Sequence, residues 1–319
     1  MNDRKKVLIT GAGGFIGKSL TRTLIEQGYK VLAIDICDIP ESLIPYSDDI
    51  NWINESFINI IDDPEFYETN IKKGNVEYAI HLATTLFPSE SVNKIEDDCY
   101  ENVFCTVKLF SNLYSFGCKK ILYASSGGTV YGFNENNTPF YEYDKLSPEI
   151  PYGLTKATCE QYLRLLSKKY DAAGISIRIS NPYGEEQRLV GNQGVIPIFM
   201  NKIYTEAGIE VFGNIESKRD YIYIDDLIDG FVKCLDYLGD QDVFNLCYGK
   251  SYSVKDIISI LESKLHKKAK IMVSDKSNGP VKNVILANEL ARKELNWYPK
   301  VNLESGIKAL VLHHDLVER

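Results

Sequence analysis

The sequence predicts an α/β protein in which a doubly wound parallel sheet is followed by a smaller C-terminal lobe. From residue 6 to about residue 179, short runs of β-branched residues alternate with longer helical stretches. This alternation is typical of βαβ units. The first run leads directly into a glycine-rich turn, and after Asn181 the pattern breaks into shorter elements separated by glycine and proline. These three observations together predict the two-part architecture.

The strands and helices of the sheet follow in chain order. The strand candidates are short runs rich in Val and Ile, at residues 7–9, 31–34, 52–53, 79–82, 121–123 and 175–179. The helix candidates place apolar residues three and four apart, at residues 19–27, 102–116 and 152–173. Because the strands are apolar on both faces, helices are expected to cover both sides of the sheet. We assign residues 1–180 to this first domain.

The remaining residues, 181–319, are expected to form the smaller lobe, which binds the substrate. Helix candidates lie near residues 225–238 and 254–265, and no internal repeat is visible. A return of the chain to the first domain is left open.

The composition excludes several classes of protein. The chain has 319 residues, a formal net charge of −8, 44% hydrophobic residues and 25% charged residues, as in a globular protein. Nucleic-acid and anionic-membrane binders normally hold a basic patch, so neither partner is expected. No apolar run approaches the roughly 18 residues of a membrane span, and the seven cysteines form no Cys-x-x-Cys pair. We expect a cytoplasmic protein without a metal site.

A glycine-rich turn follows the first strand candidate. It places Gly11, Gly14 and Gly17 between a strand and a helix. Glycine allows the tight turn, the approach of the backbone to a pyrophosphate and close packing of helix on strand, while the helix N-terminus supplies N–H donors. The position between the first strand and the first helix strengthens the interpretation. We therefore predict a Rossmann-type dinucleotide site.

Two further residues refine this site. Asp35 closes the second strand candidate, where a carboxylate accepts hydrogen bonds from an adenosine ribose and repels a 2′-phosphate. This position favours NAD over NADP. His81 follows the next apolar strand, and we interpret it as a structural residue lining the cofactor cleft.

Tyr152 and Lys156 are four residues apart in a helix candidate, so they are neighbours on one helix face, about 6 Å apart along the axis. A cation beside a phenol favours the phenolate. Lowering a tyrosine pKa from about 10 to about 7 requires roughly 4 kcal/mol of preferential phenolate stabilisation, which Lys156 and an oxidised nicotinamide would supply. Tyr152 is then expected to act as a base for an alcohol proton.

With these features, the chain resembles the extended short-chain dehydrogenase/reductases of the nucleotide-sugar epimerase/dehydratase family, in particular the UDP-glucose 4-epimerases. The resemblance covers nearly the whole chain. It rests on residues 10–17, Asp35, residues 81–83, Asn102, residues 125–132, Tyr152, Lys156, residues 178–184, 219–226, 244–245 and 294–299.

The resemblance implies a role for each matching position. The implied cofactor-binding residues are Gly11, Gly14, Phe15, Ile16, Gly17, Asp35, Leu82, Ala83, Asn102, Tyr152 and Lys156. The implied catalytic residues are Tyr152, Lys156 and Ser126, and the implied substrate-binding residues are Ser126, Asn181, Val195, Phe212 and Arg219. The resemblance also implies a homodimer built on the helices at 102–116 and 152–173.

Three of the substrate positions have a plainer interpretation. The resemblance places Asn181 and Arg219 at the diphosphate and Phe212 at the nucleobase. Phe212 could instead belong to the core, Asn181 to a turn, and Arg219 to an ion pair with Asp220 or Asp225.

The chain also departs from the family pattern. Where many relatives carry the catalytic Ser or Thr, this chain has Gly127, so we assign the substrate hydrogen bond to Ser126 on the assumption that Gly127 and Gly128 bulge the loop. Ser125 and Thr129 are the other available hydroxyls. The second phosphate arginine falls on Ser277, with Lys276 or Lys282 as substitutes, and the adenine-binding Asp falls on Ile60, with Asp62 or Asn59 as substitutes.

The glycine pair also bears on the reaction. The dehydratases of this family carry an Asp-Glu acid/base pair where this chain has Gly127 and Gly128, so dehydration is not expected. Epimerisation at C4 needs one base and one hydride site, which Tyr152 and NAD supply. We expect an NAD-dependent 4-epimerase acting on a UDP-hexose or UDP-N-acetylhexosamine. The alternatives are an NAD(P)H-dependent 4-keto-6-deoxysugar-nucleotide reductase and, outside catalysis, a cofactor-sensing regulator, which the Tyr152/Lys156 pair disfavours.

Overall fold

The computed structural model describes residues 4–134, 138–191, 194–211, 213–273 and 282–316. The strands are β1 (Lys6–Thr10), β2 (Lys30–Asp35), β3 (Ile50–Asn54), β4 (Val76–His81), β5 (Lys120–Ser126), β6 (Ala173–Ile179), β7 (Asn181–Tyr183), β8 (Gly208–Val211), β9 (Lys218–Tyr223), β10 (Val243–Leu246), β11 (Ser251–Ser253) and β12 (Lys270–Val273).

The α-helices are α1 (Phe15–Glu26), α2 (Phe57–Ile60), α3 (Pro64–Phe66), α4 (Pro88–Ser91), α5 (Ile95–Asp97), α6 (Cys105–Ser115), α7 (Gly127–Val130), α8 (Pro151–Tyr170), α9 (Val195–Tyr204), α10 (Ile224–Asp236), α11 (Val254–Leu265), α12 (Glu289–Leu295) and α13 (Leu303–His313). A 3-10 helix spans Glu41–Asp49, and π-helical segments span Tyr67–Lys72 and Asp98–Phe104.

The main sheet has seven strands in the order β10-β6-β5-β4-β1-β2-β3. The pairings of β1 with β2 and β4, of β2 with β3, and of β4 with β5 are parallel. The chain builds outwards from β1 in one direction and then from β4 in the other, so the order reverses between these two strands. A ligand crevice in such sheets lies at this reversal, beyond the carboxyl ends of the strands. The predicted doubly wound sheet is therefore confirmed.

The core of the sheet follows from its apolar strands. Val7, Leu8 and Ile9 are at most 1% exposed, as expected for strands covered on both faces. Leu8 belongs to a buried cluster with residues of the covering helices, including Leu109 and Leu163. Burial of this apolar surface fixes α6 and α8 against the strands.

Two predicted helices differ from the observed ones. The helix predicted at 102–116 begins as the π-helical segment Asp98–Phe104 and continues as α6. The helix predicted at 152–173 ends at Tyr170, because Asp171 adopts the left-handed conformation with φ of 49°. A residue in that conformation commonly terminates a helix.

The chain divides into two compact units, each made of separate stretches. Unit 1 contains residues 1–130, 146–178 and 230–244, and unit 2 contains residues 131–145, 179–229 and 245–319. Unit 1 thus includes a stretch beyond residue 180, and unit 2 includes one before it. In unit 1, the buried ammonium of Lys120 donates to the carbonyl oxygens of Leu235 and Tyr237 at 2.7 and 2.5 Å. These hydrogen bonds connect residues 230–244 to β5.

Candidate active site

The glycine turn after β1 has the geometry that the sequence predicts. Gly11 has a φ of 73°, and a Cβ there would lie 2.8 Å from the backbone nitrogen of Ala83. Only glycine fits this combination of left-handed backbone and close approach. The turn is therefore packed directly against the loop that follows β4.

The start of α1 fits a dinucleotide phosphate. Gly14 occupies the N-cap and offers no side-chain acceptor, and the first turn of the helix carries no acidic residue. The N–H groups and partial positive charge of this helix end are thus left for an anion. Asp35 stands nearby, since its Oδ2 accepts a hydrogen bond from the Gly13 nitrogen at 2.9 Å. These residues fit the predicted NAD, with the phosphates at α1 and a ribose at Asp35.

His81 lies in the core rather than on the cleft surface. Its Nδ1 is 2.6 Å from the Thr10 hydroxyl and its Nε2 is 3.1 Å from the Thr106 hydroxyl. Phe57 contacts the ring edge-on and Tyr123 stacks on it. Burial lowers the pKa of His81 to about 3, with a smaller contribution from Lys156. This environment supports the structural interpretation of His81.

Asn102 organises the loop after β4. Its side-chain oxygen accepts from the Thr85 nitrogen at 2.9 Å and from the Thr84 hydroxyl at 3.3 Å. Its side-chain nitrogen donates to the Thr85 hydroxyl and to Asp98 Oδ1, both at 2.9 Å. Asn102 therefore fixes the stretch that continues from Leu82 and Ala83, the two loop residues expected to line the cofactor site.

Tyr152 and Lys156 lie on the first turns of α8. The Lys156 ammonium is buried, lies 5.5 Å from the centroid of the Tyr152 ring and donates to the carbonyl oxygen of Ala124 at 2.9 Å. The Tyr152 backbone nitrogen donates to the Ser91 hydroxyl at 3.2 Å. The predicted pair is thus brought together at the carboxyl end of β5.

The surroundings of Tyr152 set the protonation of its phenol. Burial, with a smaller contribution from the Asp98 carboxylate, raises the pKa of the Tyr152 phenol to about 12. The chain's own residues therefore keep this phenol protonated at neutral pH. The lower pKa expected from the sequence counts on an oxidised nicotinamide in addition to Lys156.

The hydroxyl groups near the pair are in different environments. Ser125 donates to the Glu160 carboxylate, which also accepts from Arg178 Nη2 at 2.7 Å in a buried ion pair. Ser126 is partly exposed. The Thr129 hydroxyl is buried with no hydrogen-bond partner among the described residues. Ser125 is thus committed to Glu160, while Ser126 remains the best placed of the three for a ligand.

The glycine pair does not bulge the loop. Gly127 begins the single helical turn α7, which corrects the assumption made from the sequence. At Gly153, a Cβ would lie 2.5 Å from the carbonyl oxygen of Thr129. The absence of a side chain at Gly153 therefore lets α8 pack closely against α7.

In unit 2, the predicted phosphate residues form a cationic cluster. Arg219 Nη1 donates to the carbonyl oxygens of Lys218, at 2.9 Å, and of Lys282. Its guanidinium lies 5.2 Å from the Phe133 ring centroid, and the Lys282 ammonium lies 4.4 Å from the same centroid. The cluster supports Lys282 as the substitute cation. Among the described residues, Arg219 contacts carbonyl oxygens and an aromatic ring and forms no ion pair with Asp220 or Asp225.

The remaining predicted substrate-binding residues lie in different environments. The Asn181 side chain donates to the carbonyl oxygen of Asp220 at 2.8 Å, and Val195 is the partly exposed first residue of α9. Phe212, Lys276 and Ser277 lie outside the described residues.

The proposed adenine substitutes are otherwise engaged. Ile60 is a core residue, 5% exposed. Asp62 pairs with Lys108, and Asn59 donates to Glu55 at 2.7 Å.

The described ranges lack two features, a metal-binding cluster and a membrane-spanning helix. No cluster of three or more His, Cys, Asp or Glu side chains could hold a metal ion there. Within the same residues, no helix is both long and apolar enough to cross a bilayer.

Comparison with known proteins places these features in context. The sequence profile described as the NAD dependent epimerase/dehydratase family matches residues 7–247. The chain is 47% identical over 312 residues to dTDP-4-dehydro-6-deoxyglucose reductase of Escherichia coli, covering 98% of both chains.

Solved structures are also similar. UDP-glucose 4-epimerase of Thermotoga maritima with UDP-glucose matches with a TM-score of 0.88 and 29% identity, covering 97% of this chain and 98% of that one. UDP-N-acetylglucosamine 4-epimerase of Methanobrevibacter ruminantium, in complex with UDP-N-acetylmuramic acid, matches with a TM-score of 0.86 and 25% identity over 99% of both chains.

Proposed function

Because the chain belongs to the NAD-dependent epimerase/dehydratase family, we propose that it is a reductase of a nucleotide-linked 4-keto-6-deoxyhexose. NAD is the cofactor of this family, in agreement with the sequence-based prediction. The 47% identity to the Escherichia coli reductase over 98% of both chains carries the proposal. The sequence alone favours a 4-epimerase, and this similarity reverses that order. We propose dTDP as the nucleotide for the same reason.

The protonation of Tyr152 is compatible with reduction. A ketone that becomes an alcohol needs a proton on its oxygen, and a phenol whose pKa is raised to about 12 holds that proton at neutral pH. Epimerisation begins instead with removal of a hydroxyl proton, for which the phenol must first be acidified. In this protonated state Tyr152 can supply the proton that reduction requires.

The residues around Tyr152 have complementary tasks. When bound, reduced NAD supplies the hydride to C4 of the sugar. Tyr152 gives its phenolic proton to the former keto oxygen, and Ser126 donates a hydrogen bond to the same oxygen as its negative charge develops. Lys156 offers a buried positive charge that stabilises the tyrosinate left behind. Asp35 favours the cofactor without a 2′-phosphate.

Substrate recognition is proposed to use the cationic cluster of unit 2. Arg219 presents a planar guanidinium suited to phosphate oxygens, and Lys282 adds a point charge beside it. Both flank the ring of Phe133 at 5.2 and 4.4 Å. A diphosphate would neutralise this concentration of positive charge.

A second candidate function is 4-epimerisation of a nucleotide hexose. Its support is the Thermotoga maritima epimerase, with a TM-score of 0.88 over 97% of this chain. The same Tyr152/Lys156 pair serves this reaction if the cofactor is held oxidised and is regenerated within each turnover.

One experiment separates the two functions. Purified protein is incubated with dTDP-4-keto-6-deoxyglucose and NADH, and in parallel with UDP-glucose and UDP-galactose without added cofactor. We expect NADH to disappear in a one-to-one ratio with the keto sugar, with no interconversion of the UDP-hexoses. Interconversion of the UDP-hexoses without NADH consumption would overturn the reductase and establish the epimerase.

We also propose that the protein is a cytoplasmic homodimer. Tyr100 and Phe104 stack on each other and are 57% and 51% exposed, and Leu154, Tyr162 and Leu165 on α8 are 59%, 45% and 57% exposed. The exposed apolar side chains of α8 recur at helical spacing, as in an interface between helices. A second copy of the chain is the partner that these faces suit.

A further inference from the structure

Asp98 is a buried carboxylate that has no place in the residues predicted from the sequence. It begins the π-helical segment Asp98–Phe104 and is 1% exposed. Its Oδ2 accepts from the Thr155 hydroxyl at 2.7 Å, and its Oδ1 accepts from the Asn102 side chain at 2.9 Å. Both donors are neutral. Burying a carboxylate costs free energy unless a positive charge lies nearby, so we expect a cation close to Asp98.

Among the described residues near α8, one buried cation remains as a counter-charge for Asp98. Two cations and two carboxylates are buried together here, namely Arg178, Lys156, Glu160 and Asp98. Arg178 forms a direct ion pair with Glu160, at 2.7 Å. Among the described residues, Lys156 donates to a neutral acceptor, the Ala124 carbonyl oxygen, and forms no ion pair. Asp98 contacts α8 at Thr155, and its charge acts on both Tyr152 and Lys156, which lie on the same face of α8 as Thr155.

The other titratable groups around Lys156 are consistent with Asp98 as its counter-charge. Burial lowers the pKa of Lys156 to about 8, opposed by Cys159, Asp98 and Glu160. Burial also raises the pKa of the Cys159 thiol to about 12, so that Cys159 is neutral near pH 8. Glu160 is already paired with Arg178. Asp98 is therefore the carboxylate that acts on Lys156 and that forms no ion pair of its own among the described residues.

Three further titratable groups surround Lys156. They are Tyr152 on α8, Tyr123 on β5, whose ring centroid is 4.8 Å from the ammonium, and His81 on β4. Burial raises the pKa of both tyrosines and lowers that of His81. All three are thus neutral near pH 8, and none supplies the negative charge.

We propose that Asp98 is a positioning residue that serves as the counter-charge of Lys156 and keeps its ammonium protonated. Through Asn102, the same carboxylate ties α8 to the loop that carries Thr84 and Thr85. One buried charge thus sets both the protonation of Lys156 and the placement of the loop beside it. The inference deepens the proposed reductase function and rests on it for the consequence in turnover.

The test compares Asp98→Asn with the wild type in two measurements. In the cofactor-free protein, the titration of Lys156 is followed by NMR of ¹³C-labelled lysine, with its signal identified by its loss in Lys156→Arg. Removing the charge is expected to shift this titration downwards by on the order of one pH unit. The alkaline limb of the reductase turnover profile should shift in the same direction by a similar amount. Asp98→Ser, smaller and also neutral, should give the same shifts if Asp98→Asn does not fold.

Two controls separate charge from structure. Asp97→Asn removes a carboxylate from the exposed neighbouring position and should leave the Lys156 titration unchanged. Thr155→Val removes the hydroxyl but keeps the charge, so it should shift the titration by much less than Asp98→Asn. An equal shift in Thr155→Val, or no shift in the Asp98 variants, would overturn the proposal. Because the NMR titration needs no substrate, a shift without keto-sugar reduction would reject the reductase function and leave the counter-charge standing.

Discussion

The hydroxyl of Ser125 donates a hydrogen bond to the carboxylate of Glu160, which is itself held by Arg178. This contact joins the end of β5 to the middle of α8, so the strand end next to Lys156 is anchored by a buried ion pair. It also leaves Ser126 and Thr129 as the hydroxyls available for a substrate oxygen.

Ser126→Ala is expected to lower turnover more than Thr129→Val does. Loss of a hydrogen bond to developing negative charge costs about 10²-fold in turnover. Thr129 lies within α7, and its buried hydroxyl has no partner among the described residues, so its loss should cost little. Steady-state kinetics of both variants with the keto sugar give the comparison. The reverse order would assign the contact to Thr129.

Tyr152→Phe is expected to lower turnover by about 10²-fold or more, because the variant lacks the proton donor. Binding of NADH should change little, which fluorescence titration can measure. Tyr162→Phe, at a partly exposed position further along α8, is the matched control and should keep its rate. A near-normal rate in Tyr152→Phe would remove Tyr152 from the chemistry.

Asp35→Ser should change cofactor preference. The carboxylate accepts from the Gly13 nitrogen at 2.9 Å, at the glycine turn, and should repel a 2′-phosphate. We expect the ratio of kcat/KM for NADH to that for NADPH to fall by about tenfold or more. Asp38→Ser, three residues further along and exposed, should leave the ratio as it is. An unchanged ratio in Asp35→Ser would exclude the ribose contact.

His81 should make the protein sensitive to acid. The pKa of His81 is lowered from 6.5 to about 3 in the folded chain, so the unfolded chain binds the additional proton below pH 6.5. Stability is therefore complete above pH 6.5 and is lost as the pH falls towards 3. Between pH 7.5 and pH 5 the contribution of His81 amounts to about 2 kcal/mol.

Urea unfolding at these two pH values measures this effect. His81→Asn should lose that part of the pH dependence, even if it is less stable throughout. His266→Asn is the matched control at an exposed position and should behave as the wild type. An identical pH dependence in His81→Asn would show that another group is responsible.

Leu165→Asp should convert the proposed dimer to monomers, because it places a charge in the apolar face of α8. Leu165 is 57% exposed in the single chain, and the face gains its burial only from a second copy. Light scattering coupled to size exclusion measures the mass. Leu238→Asp, at a 95% exposed position, should leave the mass unchanged. A dimeric Leu165→Asp would move the interface elsewhere.

Much of unit 1 is predictable from the sequence because its signals are local. The β-branched runs give the six strands β1 to β6, and the glycine spacing gives the turn before α1. The spacing of Tyr152 and Lys156 gives their proximity, since residues four apart in a helix are neighbours.

Contacts between distant parts of the sequence are what the patterns do not reveal. Asp98 meets Thr155 across 57 positions, and Arg219 meets the backbone of Lys282 across 63. The raised pKa of Tyr152 depends on burial and on Asp98, and neither can be inferred from the Tyr-x-x-x-Lys spacing. The close packing of α7 against Gly153 also joins separate segments of the chain, and no local rule predicts it.

The return of residues 230–244 to unit 1 bears on how the chain is synthesised. The outer edge of β6 is closed by β10, and the buried ammonium of Lys120 finds its acceptors at Leu235 and Tyr237. A ribosome that has released residues 1–180 has therefore not yet released the strand that completes their sheet. Until some sixty more residues have emerged, β6 therefore remains unpaired at its outer edge and the Lys120 ammonium lacks its two acceptors.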